Sequence, residues 1–230
     1  MPYIKEGGSS LVDAIRTHLP AFTPTTIFDV GANVGQSAIA FATAFPNAAI
    51  YSFEPIANTY QELVARTLAL PKVRTFRLAF GQTPGQAPML VNPNSSTASR
   101  VSVEAPRPFE HVEMVPMGTG DSFCAAHAIT RIGFLKIDTE GHDLDVLMGF
   151  ANMLTEKRID LAEAEVSMNR LNTKHIALDR VKGYMESIGY SLFHIYDQTL
   201  DVAFSGRPIL RRSNVVFISL QLAEHYRRRK

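Results

Sequence analysis

The sequence predicts an α/β fold: a mainly parallel sheet with helices on both faces. Three observations carry this. Short apolar runs, suited to buried strands, alternate along the chain with segments whose apolar residues recur at helical spacing. The first run passes through two glycines, Gly31 and Gly35, directly into such a segment, in "TIFDVGANVGQSAIAFA" (26–42). The second run, "AIYSFEPI" (49–56), ends in an acid. Alternation of this kind implies right-handed crossovers, and ligands then bind outside the carboxyl ends of the strands.

The elements follow in order. "SLVDAIRTHL" opens with a capped amphipathic helix starting near Ser10. Strands are expected at 26–30, 49–53, 73–80, 134–138, 159–166, 191–196 and 214–220, with helices at 36–45, 58–70, 144–156 and 178–188. Two segments break the alternation. Residues 82–121 are rich in Pro, Gly, Asn and Ser, with short extended stretches at 89–91, 100–104 and 111–115. They read as an insertion carrying small antiparallel pairs, so 1–230 reads as a single domain. "DQTLDVAFSGRPILRRSN" (197–214) lacks helical spacing, so the last two strands form a hairpin-like pair.

Bulk properties narrow the function classes. The 230 residues suffice for one α/β domain with a substantial core. Lys and Arg total 23 against 22 Asp and Glu, a formal charge of +1, which lacks the footprint of a dedicated nucleic-acid binder. The basic tail at 227–230 reads as a solvated terminus. The single cysteine, Cys124, excludes an intramolecular disulfide; with no secretory signal it points to a reducing, cytoplasmic setting. No apolar run reaches membrane-spanning length. The eight methionines are scattered and read as core filler.

Gly31 and Gly35 place a tight turn between strand and helix, where backbone N–H groups are unpaired and a ligand can approach closely. Glu54 falls 23 residues after Gly31, the spacing at which a carboxylate accepts from ribose hydroxyls. Taken singly, the turn could be structural and the acid an exposed strand end; the pairing favours a nucleoside ligand. The turn has neither the three glycines of a pyrophosphate site nor a Gly-Lys-Ser/Thr loop. Asp29 would repel a phosphate and favour a ligand bearing ammonium and sulfonium charge.

"FDVGANVGQS", "YSFEP" and "FLKIDTEGHDLDVLMGF" together resemble the FkbM-type S-adenosylmethionine-dependent methyltransferases. The third stretch is the most specific, and the resemblance runs from about 26 to 218. It weakens over 82–121, where Gly120-Asp121 stands in place of a Leu-Asp pair. It implies a class I methyltransferase fold: a seven-stranded, Rossmann-like, mostly parallel sheet with the last strand antiparallel. The implied reaction is methyl transfer from S-adenosylmethionine to an oxygen, often a hydroxyl of a sugar, glycan or polyketide. Asp29, Gly31, Asn33 and Gly35 would then line the methionine and ribose side of the cofactor, and Glu54 would hold its ribose. Ala79, Phe80 and Gly81, at the end of the third strand, would lie near the adenine.

The loop after the fourth strand offers Asp138, Glu140 and His142 as catalytic candidates. A hydroxyl proton needs a base, and His142, oriented by Asp138 or Asp143, titrates nearest neutral pH. The alternative is that Glu140 and His142 only cap the helix that follows, and because His142 lies at that helix start the sequence leans to the carboxylates Asp138 and Glu140 as the reacting groups. A divalent ion on Asp138, Glu140 and Glu165 is a variant that the sequence does not favour, and no metal site is assigned. Lys136 reads as a structural ion-pair partner within its strand, and His194 and Tyr196 as substrate contacts or packing residues. The acceptor is expected to be a small molecule or glycan, not nucleic acid; a homo-oligomer is left open. Two other readings remain. One is an N-methyltransferase, disfavoured by the lack of an Asn/Asp-Pro-Pro-aromatic loop; the other is a non-catalytic nucleoside-binding module.

Overall fold

The computed structural model describes residues 10–92, 100–101, 110–202 and 206–227. Seven strands form the main sheet: β1 (Thr26–Val30), β2 (Ala49–Phe53), β3 (Val73–Phe76), β8 (Ile132–Ile137), β9 (Ile159–Ser167), β10 (Tyr190–Leu200) and β11 (Leu210–Ser219). Their spatial order is β10-β11-β9-β8-β1-β2-β3. All neighbours run parallel except β11, which is antiparallel to both β9 and β10. The last two strands thus pair as a hairpin, as the sequence predicts.

Strand alternation sorts the core onto two faces. Phe28, Val30, Tyr51, Phe53, Leu135 and Ile137 point to one face. There they meet α4 (Gly120–Ala126), α5 (Asp143–Gly149), α6 (Ala151–Thr155) and α7 (Leu178–Ser187) through Phe123, Leu147, Phe150, Met153, Val181 and Met185. Ile27, Ile50, Phe134, Leu161 and Val216 point to the other face, against Leu11 and Ile15 of α1 (Leu11–His18) and Ala38 and Phe41 of α2 (Gln36–Ala44). Helix α1 begins as expected, with Ser10 Oγ accepting from Asp13 N–H. The aromatic side is dense, with the Phe28 ring 5.2 to 6.0 Å from those of Tyr51, Phe53, Phe123 and Phe150.

A charged row crosses the second face. Asp29, Lys136 and Glu163 are direct register partners on β1, β8 and β9, and all three are buried. Burial opposes the charge on Lys136, but the carboxylates of Asp138, Asp29 and Glu163 hold it protonated, above its ordinary range. Burial pushes Glu163 up to about 7, against the pull of Lys136 and a hydrogen bond from Tyr196. Lys136 is therefore the ion-pair partner the sequence suggests. Tyr196 packs against the second core, and neither it nor His194 lies on the wall of the cleft described below.

Two expectations need correction. The strand expected at 73–80 is broken: β3 stops at Phe76, and Ala79–Phe80 (β4) leaves the main sheet to pair with Met117 and Gly118 of β7 (His111–Gly118). Strand β4 thereby joins the insertion expected at 82–121, where β5 (Gly85–Val91), β6 (Arg100–Val101) and β7 make a four-stranded sheet in the order β4-β7-β5-β6. Residues 102–104 of the expected 100–104 stretch, and 228–230 of the basic tail, lie outside the described residues. The helix expected at 144–156 is two short helices. Gly149 approaches the chain at Gly81 so closely that an added Cβ would lie 2.3 Å from the Gly81 carbonyl oxygen. The second helix gets its own cap: Asp121 accepts from Asn152 N–H at 2.8 Å and Met153 N–H at 3.0 Å. This gives Asp121 a structural role.

Candidate active site

A cleft opens at the carboxyl ends of β1, β2 and β8, where an open α/β sheet places its ligands. Its cavity volume is about 110 Å³. Its wall includes Gly31, Asn33, Glu54, Ile56, Leu78, Ala79, Phe80, Met89, Asp138, Thr139, Glu140 and His142. Eight of the residues singled out from the sequence are therefore gathered in one place: Gly31, Asn33, Glu54, Ala79, Phe80, Asp138, Glu140 and His142.

Three others sit elsewhere. Asp29 is fully buried beneath the turn, 3.5 Å from Lys136 Nζ. Burial raises its pKa and Lys136 opposes that. Gly35 starts α2 with φ +92°, and its missing Cβ makes room for Leu63 and Thr67 of α3 (Ala57–Thr67). Gly81 lies against Met117 and lines a neighbouring recess with Gln82, His142 and Asp145.

The turn itself overturns the expectation of unpaired N–H groups. Gly31 and Ala32 both donate to Phe53 O, Asn33 donates to Glu54 Oε2, Val34 to Asn33 Oδ1 and Gly35 to Ala32 O. With its amides engaged within the protein, the turn is no anion cradle. What this end of the cleft offers is acceptors. Glu54 is 7% exposed, and its carboxylate also accepts from Ile56 N–H at 2.9 Å. Burial pushes its pKa up to about 7, against the pull of these two backbone N–H groups.

The second wall is the loop between β8 and α5. Asp138 Oδ2 stands 3.3 Å from Lys136 Nζ. Glu140 adopts φ +55° and Gly141 φ +111°, and a Cβ on Gly141 would come within 2.2 Å of the Lys174 carbonyl oxygen. The sequence suggests Asp143 as a partner for His142; the structure gives it another task. Asp143 is buried and accepts from Thr139 N–H, Thr139 Oγ1–H and Glu165 N–H, tying the loop to β9. Burial pushes its pKa up to about 7. The carboxylate beside His142 is instead Asp145, with Oδ2 3.5 Å from Nδ1, and Asp145 in turn accepts from Gln82 Nε2. His142 occupies the N-cap position of α5 but makes no side-chain capping bond.

Glu140 faces residues that sequence reasoning missed. Lys174 Nζ pairs with its Oε2, and His175 Nε2 lies 3.7 Å from that oxygen and 2.7 Å from Glu165 Oε2. Arg212 pairs with the other oxygen of Glu165. Burial lowers the pKa of His175, with Glu140 pulling the other way.

A seven-stranded sheet ending in an antiparallel hairpin, with its cleft above a glycine turn and an acid-tipped second strand, defines a class I methyltransferase. Comparison with known proteins narrows the class. The methyltransferase FkbM domain matches residues 29–192, and the chain belongs to that family of S-adenosylmethionine-dependent methyltransferases. The hexuronic acid methyltransferase AglP of Haloferax volcanii is 24% identical over 146 residues, which are 62% of this chain. The matched segment spans 57% of that relative's length. Among solved structures, an rRNA methylase from Streptococcus thermophilus superposes with a TM-score of 0.51 at 9% identity, covering 93% of this chain and 99% of its own. The Methanococcus jannaschii fibrillarin pre-rRNA processing protein gives 0.50 at 10% identity, covering 87% and 68%. Likeness at such identities shows the fold alone. No helix among the described residues is long and apolar enough to cross a membrane.

Proposed function

We propose that this protein transfers a methyl group from S-adenosylmethionine to a hydroxyl oxygen of a sugar or glycan. One observation carries this reading: the cleft joins the Glu54 carboxylate to the acid-and-imidazole loop of Asp138, Glu140 and His142. The residues present fit the cofactor. Each Glu54 oxygen takes one backbone N–H and keeps a lone pair for a ribose hydroxyl. Ile56, Leu78, Ala79 and Phe80 offer an apolar wall for the adenine. The engagement of the turn amides favours a ligand without phosphate at that end.

When bound, the cofactor supplies an electrophilic methyl on a sulfonium. The chain's own part is to align the acceptor oxygen, exclude water and take the proton. His142 takes it. Asp138 is paired with the Lys136 ammonium and Glu140 with that of Lys174, so both carboxylates are already engaged within the protein. His142 carries an imidazole on the cleft wall with Asp145 placed to steady the charged ring. The near-neutral chain favours a glycan acceptor over nucleic acid, and the hexuronic acid methyltransferase relative supports a sugar. The test is incubation with methyl-labelled cofactor and a panel of neutral and acidic saccharides, read by mass spectrometry. A labelled methyl ether supports the reading; label on an amine or on RNA overturns it.

A further inference from the structure

We propose that Glu140, Glu165 and His175 form a binding site for one divalent transition ion, of the Mn²⁺ or Zn²⁺ kind, at the rim of the cleft. One oxygen of each carboxylate and one nitrogen of the imidazole lie within 4.8 Å of one another. An ion bound at about 2.1 Å by each places neighbouring ligand atoms about 3 Å apart. The His175 Nε2 distances of 2.7 Å to Glu165 Oε2 and 3.7 Å to Glu140 Oε2 bracket that value.

A second observation is independent of the clustering. Glu165 Oε2 and His175 Nε2 are both buried and neither has a hydrogen-bond partner among the described residues. They lie 2.7 Å from each other, a contact that is an ion pair only when the imidazole is protonated. Buried polar atoms ordinarily find a partner. An ion between them supplies one to each.

The surroundings are those of a built site. Metal-bound histidines have their other ring nitrogen held. Here buried Asn172 holds His175 Nδ1, with side-chain atoms at 3.0 and 3.3 Å, and itself donates to Arg211 O. Arg212 grips Glu165 by Oε1, which leaves Oε2 turned to the imidazole. The segment carrying His175 is pinned to the sheet end, Ser167 N–H donating to Ile176 O at 2.7 Å. What an ion must displace is the Lys174 ammonium on Glu140, whose side chain is 40% exposed, and surface pairs of this kind contribute little. One imidazole with two carboxylates suits Mn²⁺ or Zn²⁺ better than Mg²⁺ or Ca²⁺, which prefer oxygen alone.

Glu140 belongs both to this cluster and to the cleft wall, so an ion here has open positions facing the acceptor. That role, lowering the acceptor hydroxyl's pKa, rests on the proposed function; ion binding does not. The test uses the full chain, stripped with EDTA and titrated with MnCl₂, free Mn²⁺ being followed by electron paramagnetic resonance and Zn²⁺ by competition. One Mn²⁺ per chain is expected, weakened in His175→Ala and in Glu140→Gln by at least the roughly 10- to 100-fold that loss of an outer partner costs. Glu186→Gln, on the exposed face of α7, should bind as the parent does. Circular dichroism monitors folding, and if His175→Ala does not fold, the partly exposed Glu140 carries the test. A parent protein that binds neither ion, or folded variants that bind Mn²⁺ like the parent, overturns the site. Calorimetry with S-adenosylmethionine on the same samples separates this failure from failure of the methyltransferase reading.

Discussion

A Cβ added to Gly31 would lie 1.9 Å from the carbonyl oxygen of Asp138. The first turn and the loop after β8 therefore touch backbone to backbone, and glycine is needed there whether or not a ligand is bound. Gly31 also adopts φ +78°. Gly31→Ala should cost about 2 to 4 kcal/mol, the sum of a left-handed penalty and overpacking, read as a lowered urea midpoint. A variant as stable as the parent would mean the turn yields easily, and that the glycine serves ligand approach alone.

Glu54 carries the ribose assignment. Glu54→Ala should weaken S-adenosylmethionine binding by about 1.5 to 3 kcal/mol, the scale of hydrogen bonds to a charged group. The carboxyl is held near 7, so its stronger-accepting ionised form fills in as pH rises. Affinity should accordingly increase from pH 6 to 8 and lose that dependence in Glu54→Gln. Calorimetry at three pH values checks both, and a pH-independent parent argues against Glu54 as the ribose ligand.

For His142, replacement by alanine should lower turnover by roughly 10²- to 10⁴-fold, the usual contribution of a general base, with cofactor affinity nearly intact. Asp145→Asn, which removes the carboxylate 3.5 Å from Nδ1, should also lower turnover, by less than loss of the imidazole itself. Unchanged turnover in the alanine variant would return His142 to its position at the start of α5 and nothing more.

Buried carboxyls set the stability profile. Glu54, Asp143 and Glu163 are each raised to about 7, so between about pH 4 and 7 the folded state binds more protons than the unfolded one. Stability should fall as pH rises through that window. Glu163→Gln, which can still accept from Tyr196, should flatten the fall. Melting temperatures at pH 5 and 7 give the sign directly, and a parent that gains stability between them contradicts these assignments.

Most of the fold was legible because strand and helix periods alternate cleanly and the strands are buried. The cleft acids were legible because each stands at a strand end. What could not be read were facts of tertiary approach. Nothing local tells whether a turn glycine meets another loop at the rim of a cleft, like Gly31 against Asp138, or a neighbouring helix, like Gly35 against Leu63. The helix expected at 144–156 keeps its apolar spacing across Gly149, yet breaks because Gly149 meets Gly81 and Asp121 caps a fresh start. His175 sits in "NTKHIAL", without period or motif, and reaches Glu165 only because the chain folds back at the end of β9. That Asp29 is buried beside Lys136 is equally invisible locally, because its register partner lies on another strand.

The proposed reaction is methyl transfer to a sugar hydroxyl. It is tested most directly with S-adenosylmethionine bearing a ¹³C methyl, an oligosaccharide mixture, and a two-dimensional carbon–proton spectrum of the products. A new resonance is expected at the shift of a methyl ether on a sugar carbon, with one demethylated cofactor per methyl gained and loss of both in Glu54→Ala. A labelled N-methyl, or tight cofactor binding with no label in any saccharide tested, would contradict it.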